Sequence, residues 1–94
     1  MVLALHSGRV VGFINAVSDH TLAAYIPLLE VLPEYQGRGI GRQLVRRILK
    51  RLEGMYMVDL VCDDDMAGFY EHLGLKSARA MIRRNFAVQS GIQD

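Results

Sequence analysis

Residues 31–41 read Val-Leu-Pro-Glu-Tyr-Gln-Gly-Arg-Gly-Ile-Gly, and the rest of the chain can be arranged around them. An apolar run ends at Pro33, glycine occupies every second position from 37 to 41, and apolar residues then recur at helical spacing. Proline and glycine interrupt regular structure, and a period of 3.6 residues is typical of an amphipathic helix. The segment therefore predicts a strand, a glycine-rich turn and a helix, in that order.

Two short apolar runs upstream of this segment predict a β-hairpin. Residues 2–5 and 10–18 are separated by a turn in which Gly8 supplies the backbone conformation. Gly12, inside the second run, indicates a bulge or a close approach of another backbone.

A third strand and the first helix follow the hairpin. Residues 22–32 predict the strand, with an irregularity at Pro27 because proline cannot donate a ladder hydrogen bond. The helix begins at Ile40, carries arginine and lysine on its outer face and stops at Gly54.

The last third of the chain predicts a strand over 56–62, a short helix over 65–73 and a final strand over 76–88. The aspartates at 63–65 would cap the short helix, and Gly74 would end it. The order is β-β-β-α-β-α-β in a single domain of residues 1–94. A helix that crosses over between neighbouring strands requires a parallel pair. We therefore expect an α+β fold with one mixed, mostly antiparallel sheet and helices packed on it.

Composition narrows the class of protein. The 94 residues are 51% apolar and 22% charged, which is typical of a globular domain. No apolar run is long enough to span a membrane, and the N-terminus does not resemble a signal peptide. A single cysteine, Cys62, allows no internal disulfide and leaves a zinc site short of thiols. We expect a cytoplasmic protein without a metal or a membrane partner, and with Cys62 buried.

The glycine-rich turn predicts an anion site, since a helix N-terminus presents unpaired N–H groups and glycine lets a phosphate come close. The spacing lacks the Gly-Lys-Ser/Thr of a Walker loop. It also breaks the dinucleotide pattern at the third glycine, where Leu44 stands. What does fit is Gln36-x-x-Gly39-x-Gly41 after a strand.

This spacing resembles the acetyl-coenzyme A loop of the GNAT superfamily of N-acetyltransferases, Gln/Arg-x-x-Gly-x-Gly/Ala. A second segment, Phe69-Tyr-Glu-His-Leu-Gly-Leu75, is similar to the family's "FYEKLGF" segment. The two motifs occur in the family's order, and the resemblance runs from about residue 2 to residue 86.

The resemblance implies a cofactor site for acetyl-coenzyme A. Backbone N–H groups of residues 36–41 would cradle the pyrophosphate, with charge from Arg38 and Arg42. A splay of the sheet would free backbone groups of residues 29–31 to pair with the pantetheine arm. The cofactor-binding residues implied are Leu29, Val31, Gln36, Gly37, Arg38, Gly39, Ile40, Gly41, Arg42 and Phe69.

The chemistry implied is direct attack of a primary amine on the thioester. The Val31 N–H would stabilise the oxyanion. Tyr70 would protonate the departing thiolate, since a phenol with an ordinary pKa of about 10 can serve as that acid. Glu30 is the candidate general base, with Tyr25 at the position of the base in some relatives and His20 as a further alternative. No base is also open, because a neutral amine can react without one.

Other polar residues are expected to be structural. His72 lies two residues from Tyr70 and would face away from it on a helix, so we expect it at the surface. Asp63 stands where many relatives carry a cofactor-contacting asparagine, and helix capping is the simpler interpretation.

The chain also departs from the family. The strand and two helices with which the family normally begins are missing before the hairpin, and they usually form one wall of the acceptor pocket. Three explanations are open: the sequence is a fragment or has a misassigned start, a partner subunit supplies the missing wall, or catalysis has been lost. A homodimer would also cover the apolar surface that their absence exposes. The acceptor would be a small-molecule or peptide amine. A coenzyme A-binding module without turnover remains an alternative. Nucleic acid is not expected as a partner: six of the eleven basic residues lie within 38–51, but the interleaved aromatic residues of single-strand binders are missing there.

Overall fold

A computed structural model describes residues 1–88; residues 89–94 of the predicted domain lie outside the described residues. The strands and helices are β1 Val2–His6, β2 Arg9–Ile14, β3 Val17–Ser18, β4 Ala23–Tyr25, β5 Leu29–Val31, α1 Ile40–Arg51, β6 Met57–Asp59 and α2 Ala67–Glu71. Turns of 3₁₀ helix occupy Pro33–Tyr35, Asp64–Met66 and Phe86–Val88. Over residues 1–88, none of the helices has the length and apolar character needed to cross a membrane.

The strands form two three-stranded sheets, which confirms the α+β class but not the single sheet. One sheet has the order β1-β2-β5 and is antiparallel throughout. The other has the order β3-β4-β6, and β4 runs parallel to β6, as the crossover through α1 requires.

The predicted irregularity at Pro27 is the point where the chain passes from one sheet to the other. The Ile26 N–H still donates to the Asp59 carbonyl at 3.0 Å in the second sheet. The Leu28 carbonyl already accepts from the Asn15 N–H at 3.2 Å in the first. Because proline has no N–H to give to either ladder, the predicted strand over 22–32 divides into β4 and β5.

The hairpin confirms both glycine predictions. Ser7 and Gly8 have φ of 53° and 78°, the left-handed pair that a two-residue hairpin turn needs. Ala4 pairs with Gly12 and Leu5 with Val10, so Val11 is the extra residue of a bulge. A Cβ at position 12 would lie 3.0 Å from the Glu30 carbonyl oxygen, so close that the backbone of β5 would have to shift by a few tenths of an ångström.

Helix α1 packs on the first sheet and supplies half of the main core. The buried cluster consists of Val2, Ile14, Ile26, Leu44, Val45 and Ile48. The arginines and lysine of α1 are exposed, as its spacing predicts.

Two expectations for the last third of the chain are wrong, and two elements are shorter than predicted. The strand over 76–88 does not form: residues 75–85 have no regular structure, Met81 and Ile82 are 92% and 59% exposed, and within residues 1–88 no strand lies beside them. The predicted strand over 56–62 is present but limited to residues 57–59, and Cys62, which lies beyond it, is exposed rather than buried. The predicted helix over 65–73 is present as a 3₁₀ turn followed by a short α2.

Candidate active site

A groove with a volume of about 470 Å³ lies between the free edge of β5, the glycine-rich turn and α2; we call it the β5-edge groove. Nine of the ten predicted cofactor-binding residues line it, all except Arg38. Tyr35 and Met66 are the additional lining residues.

The outer edge of β5 has backbone groups available for a ligand. The Leu32 N–H donates to the Val11 carbonyl at 2.8 Å, and the Leu28 carbonyl accepts from the Asn15 N–H, so both groups point toward β2. Because backbone groups of a strand point to alternate sides from one residue to the next, the N–H and carbonyl of Glu30 also point toward β2. The N–H groups of Leu29 and Val31 and the Leu29 carbonyl therefore face the open edge. The expectation for Glu30 is corrected, because its backbone is used within the sheet.

The glycine-rich turn presents a series of N–H groups without acceptors. Within residues 1–88, the amides of residues 37–42 donate to no backbone or side-chain oxygen, and the first helical bond runs from the Gln43 N–H to the Gly39 carbonyl at 3.1 Å. Gly37 and Gly39 have φ of 78° and 83°, which turn the chain so that these amides cluster at the start of α1. A cluster of this kind suits a phosphate-bearing ligand.

The predicted role of the Gln36 N–H is corrected. It donates to the Pro33 carbonyl at 3.2 Å and is not available to a ligand. The Gln36 side chain instead donates from Nε2 to the Val31 carbonyl at 3.0 Å. This residue ties the turn to the end of β5.

The far wall of the groove comes from Phe69 on α2. An ideal Cβ at position 41 would lie 3.7 Å from Phe69 Cζ and 4.0 Å from Val31 Cγ2, which is ordinary van der Waals distance, so position 41 faces both side chains. Because glycine has no Cβ, the space between the strand edge and the aromatic ring stays open there.

Arg38 lies in a different groove. The β1-edge groove, also of about 470 Å³, runs between β1 and α1 on the other side of the turn. The Arg38 guanidinium stacks on the Tyr35 ring, 5.2 Å from its centroid, and the Tyr35 hydroxyl hydrogen-bonds to His6 Nδ1 at 2.8 Å. Tyr35 lines both grooves.

The predicted catalytic pair is not brought together in the β5-edge groove. Tyr70 packs against the core and edge-on to Phe69, with 5.0 Å between ring centroids, but it is not among the lining residues. Burial raises the pKa of the Tyr70 phenol, and the electrostatic interaction with the nearby Cys62 adds to the effect. The Glu30 side chain is exposed on the sheet face opposite to Leu29 and Val31, which pack against the core.

The remaining candidates lie apart from the groove. His20 is exposed in a loop with φ of 63°. His72 is exposed, as expected, and its Nδ1 bonds the Gly68 carbonyl. Asp63 occupies the N-cap of the 3₁₀ turn, but its side chain makes no capping bond. Residues 1–88 contain no cluster of three potential metal ligands.

The sequence assigns no site role to His6 or Tyr35, and it predicts Met66 only as a core or pocket-lining residue. Tyr35 was visible as an aromatic residue beside the glycine-rich turn. Nothing local marks His6, because its contact with Tyr35 spans 29 residues.

Comparisons with known proteins agree with one another. Residues 1–75 match the model of the Acetyltransferase (GNAT) family. A putative acetyltransferase of Deinococcus radiodurans, known from a crystal structure, is 54% identical with a TM-score of 0.87, over 93% of this chain and 61% of that one. The chloroplastic GCN5-related N-acetyltransferase 3 of Arabidopsis thaliana is 37% identical over 75 residues, 78% of this chain and 32% of that protein.

A protein of Gracilaria tenuistipitata var. liui named uncharacterized N-acetyltransferase ycf52 is 36% identical over 66 residues, 68% of this chain and 36% of that protein. The chain thus spans about a third of the length of the curated relatives it matches.

Proposed function

The chain belongs to the acetyltransferase (GNAT) family, and we propose that it binds acetyl-coenzyme A in the β5-edge groove and transfers the acetyl group to a primary amine. One observation carries the proposal. The open edge of β5 lines the same groove as residues 37 and 39–42, whose amides have no acceptor within residues 1–88. An extended amide-bearing arm and a phosphate group therefore find hydrogen-bond donors side by side.

The groups of the groove match the parts of coenzyme A. The amides of residues 37–42 would receive the pyrophosphate, with Arg42 at the rim. Leu29 and Val31 would pair with the amides of the pantetheine arm as a neighbouring strand does. Phe69 would flank the thiol end. The Arg38 guanidinium would contact the phosphate only after moving away from the Tyr35 ring, on which it stacks.

The reaction needs an amine in its neutral form, an oxyanion donor and an acid for the leaving thiolate. The Val31 N–H would bind the oxyanion as nitrogen attacks the thioester carbon, an effect worth a few kcal/mol in other acyl-transfer sites, where removing one donor costs about 3–4 kcal/mol. Tyr70 would give its proton to the thiolate, and its raised pKa keeps the phenol protonated at neutral pH. Glu30 would take the proton from the amine, directly or through water.

A coenzyme A-binding module without turnover is the second candidate. It is favoured by the placement of Tyr70 outside the groove lining and of Glu30 on the opposite sheet face. The two functions share the cofactor site. They differ in whether the chain catalyses acetyl transfer, so only an enzyme would show a lower rate in Tyr70→Phe.

A thermal-shift titration of the full 94-residue chain with acetyl-coenzyme A, coenzyme A and NAD tests the proposal. A ligand present at a hundred times its dissociation constant stabilises the folded state by about 2.7 kcal/mol, which raises Tm by several degrees in a small domain. We expect the shift with both coenzyme A species and none with NAD. A cooperative unfolding transition whose Tm does not rise with either coenzyme A species would rule out the proposed cofactor site and therefore both candidate functions.

The acceptor, the location and the assembly stay predictions. We propose a small-molecule or peptide amine as acceptor; one relative of Glycine max, 32% identical, is named histone acetyltransferase TAP1. A cytoplasmic location and a homodimer are likewise predictions, and two of the Arabidopsis relatives are named chloroplastic.

A further inference from the structure

We propose that Gln36 is a positioning residue that holds the glycine-rich turn at a set distance from the open edge of β5. Its side chain fixes the two halves of the β5-edge groove relative to each other, so that one coenzyme A molecule reaches both. The inference rests on the proposed function and adds to it a role for a side chain that binds neither half of the cofactor.

Gln36 makes two hydrogen bonds, one from its side chain and one from its backbone, and we call this pair the Gln36 clamp. Gln36 Nε2 donates to the Val31 carbonyl at 3.0 Å, while the Gln36 N–H donates to the Pro33 carbonyl at 3.2 Å. The orientation of the amide follows from chemistry, since only its nitrogen can donate to a carbonyl. Gln36 itself is extended, with φ of −69° and ψ of 154°, and leads directly into the left-handed Gly37.

The carbonyl that Gln36 binds is one of the groups of the ligand-facing edge. Alternation places it on the same side of β5 as the N–H groups of Leu29 and Val31. The clamp therefore occupies the last acceptor of the edge. It leaves the Val31 N–H as the free group nearest to the turn.

The position of the turn relative to the β5 edge matters most for a ligand that binds to both of these parts of the groove. A pantetheine arm needs only the edge, and a nucleotide phosphate needs only the turn. A molecule that links the two gains affinity only where the spacing of the two subsites matches its length. Loss of the clamp should weaken the linked ligand more than either part.

The test compares whole coenzyme A with its parts on the full chain. Coenzyme A is measured by calorimetry, and pantetheine and ADP, which bind weakly, by NMR titration. The variants are Gln36→Leu, which removes the donor, and Gln36→Arg, which keeps a donor. The matched control is Gln43→Leu, an exposed glutamine on α1 that lines the β1-edge groove.

We expect Gln36→Leu to weaken coenzyme A roughly three- to tenfold, the equivalent of one lost hydrogen bond, and to change pantetheine and ADP less than about twofold. Gln36→Arg should restore coenzyme A to within about twofold of the native chain, and Gln43→Leu should have no effect. Should Gln36→Leu fail to fold, Gln36→Asn serves instead, because its shorter amide cannot span the same distance.

Two results would overturn the inference. One is unchanged coenzyme A binding in Gln36→Leu and Gln36→Asn. The other is an equal loss for ADP and coenzyme A, which would make Gln36 a phosphate ligand. Failure of the native chain to bind coenzyme A is a different result, because it removes the proposed function itself.

Discussion

The β5-edge and β1-edge grooves lie at the two open edges of one three-stranded sheet and have the same volume of about 470 Å³. Tyr35, Gly39 and Ile40 contribute to both. What differs is the kind of polar group that each offers. The β5-edge groove is lined by more of the glycine-rich turn, including Gly37 and Gly41, whereas the β1-edge groove has more basic side chains, Arg38 and Arg47 against Arg42 alone.

This difference indicates which groove is suited to the cofactor. Amides held by the left-handed Gly37 and Gly39 are in place before a ligand arrives, so little ordering is needed on binding. The cations Arg38 and Arg47 of the β1-edge groove stand on long side chains that a ligand would have to order. Concavity and positive charge are common to both sides of the turn, but Gly37 and Gly41 line only the β5-edge groove.

The largest expected effect concerns chemistry. Tyr70→Phe should lower kcat about 100-fold and leave coenzyme A affinity unchanged, since it removes the acid and not the groove. Because burial raises the pKa of Tyr70, the phenol is protonated from pH 7 to 9, and its contribution should disappear only as pH rises above its ordinary value of about 10. A pH–rate profile with an amine acceptor found by screening provides the measurement.

Tyr56→Phe is the matched control, because Tyr56 is 81% exposed. An unchanged rate in Tyr70→Phe would contradict the assignment of the acid.

A smaller effect is expected from the backbone of the turn. Gly39→Ala forces a side chain into φ of 83°, and Gly74→Ala does the same at 96° after α2. Each should lower the free energy of unfolding by about 1–2 kcal/mol. Only Gly39→Ala should also weaken coenzyme A, by about tenfold, since the amides beside it carry the phosphate. Chemical denaturation and calorimetry measure the two quantities, and equal affinity in both variants would argue against the turn as the phosphate site.

The smallest effect compares one arginine from each groove. Arg42 lines the β5-edge groove and Arg47 the β1-edge groove, and both are exposed on α1. Arg42→Gln should weaken coenzyme A about three- to fivefold at low salt, and Arg47→Gln less than about twofold. The difference in coenzyme A affinity between the two variants should decrease at 0.5 M salt, where the screening length is roughly 4–5 Å. A larger loss in Arg47→Gln would place the cofactor on the other side of the turn.

Local features were predictable because short-range physics sets them. The apolar stripe of α1, the break at Pro27 and the hairpin turn at Gly8 each depend on residues a few positions apart. The same holds for most of the β5-edge groove, since the turn and the strand before it are contiguous in the chain. Two motifs in the family's order were therefore enough to identify the family.

Other features depend on which elements meet, and no local pattern encodes that. Alternation over 76–88 is typical of a strand, but a strand forms only where another strand offers its edge, and none does so within residues 1–88. Cys62 is exposed because β6 ends three residues before it.

The sequence by itself determined the family, the helix, the turn and the identity of the residues around it. The tertiary structure decided which way each of those residues faces: Arg38 toward β1, Arg42 toward β5, and the Glu30 backbone into the sheet rather than toward a ligand. Neighbours in the chain share a local conformation. The groove that each one lines depends on the strand pairing and on contacts such as His6 with Tyr35, which join residues that are far apart in the chain.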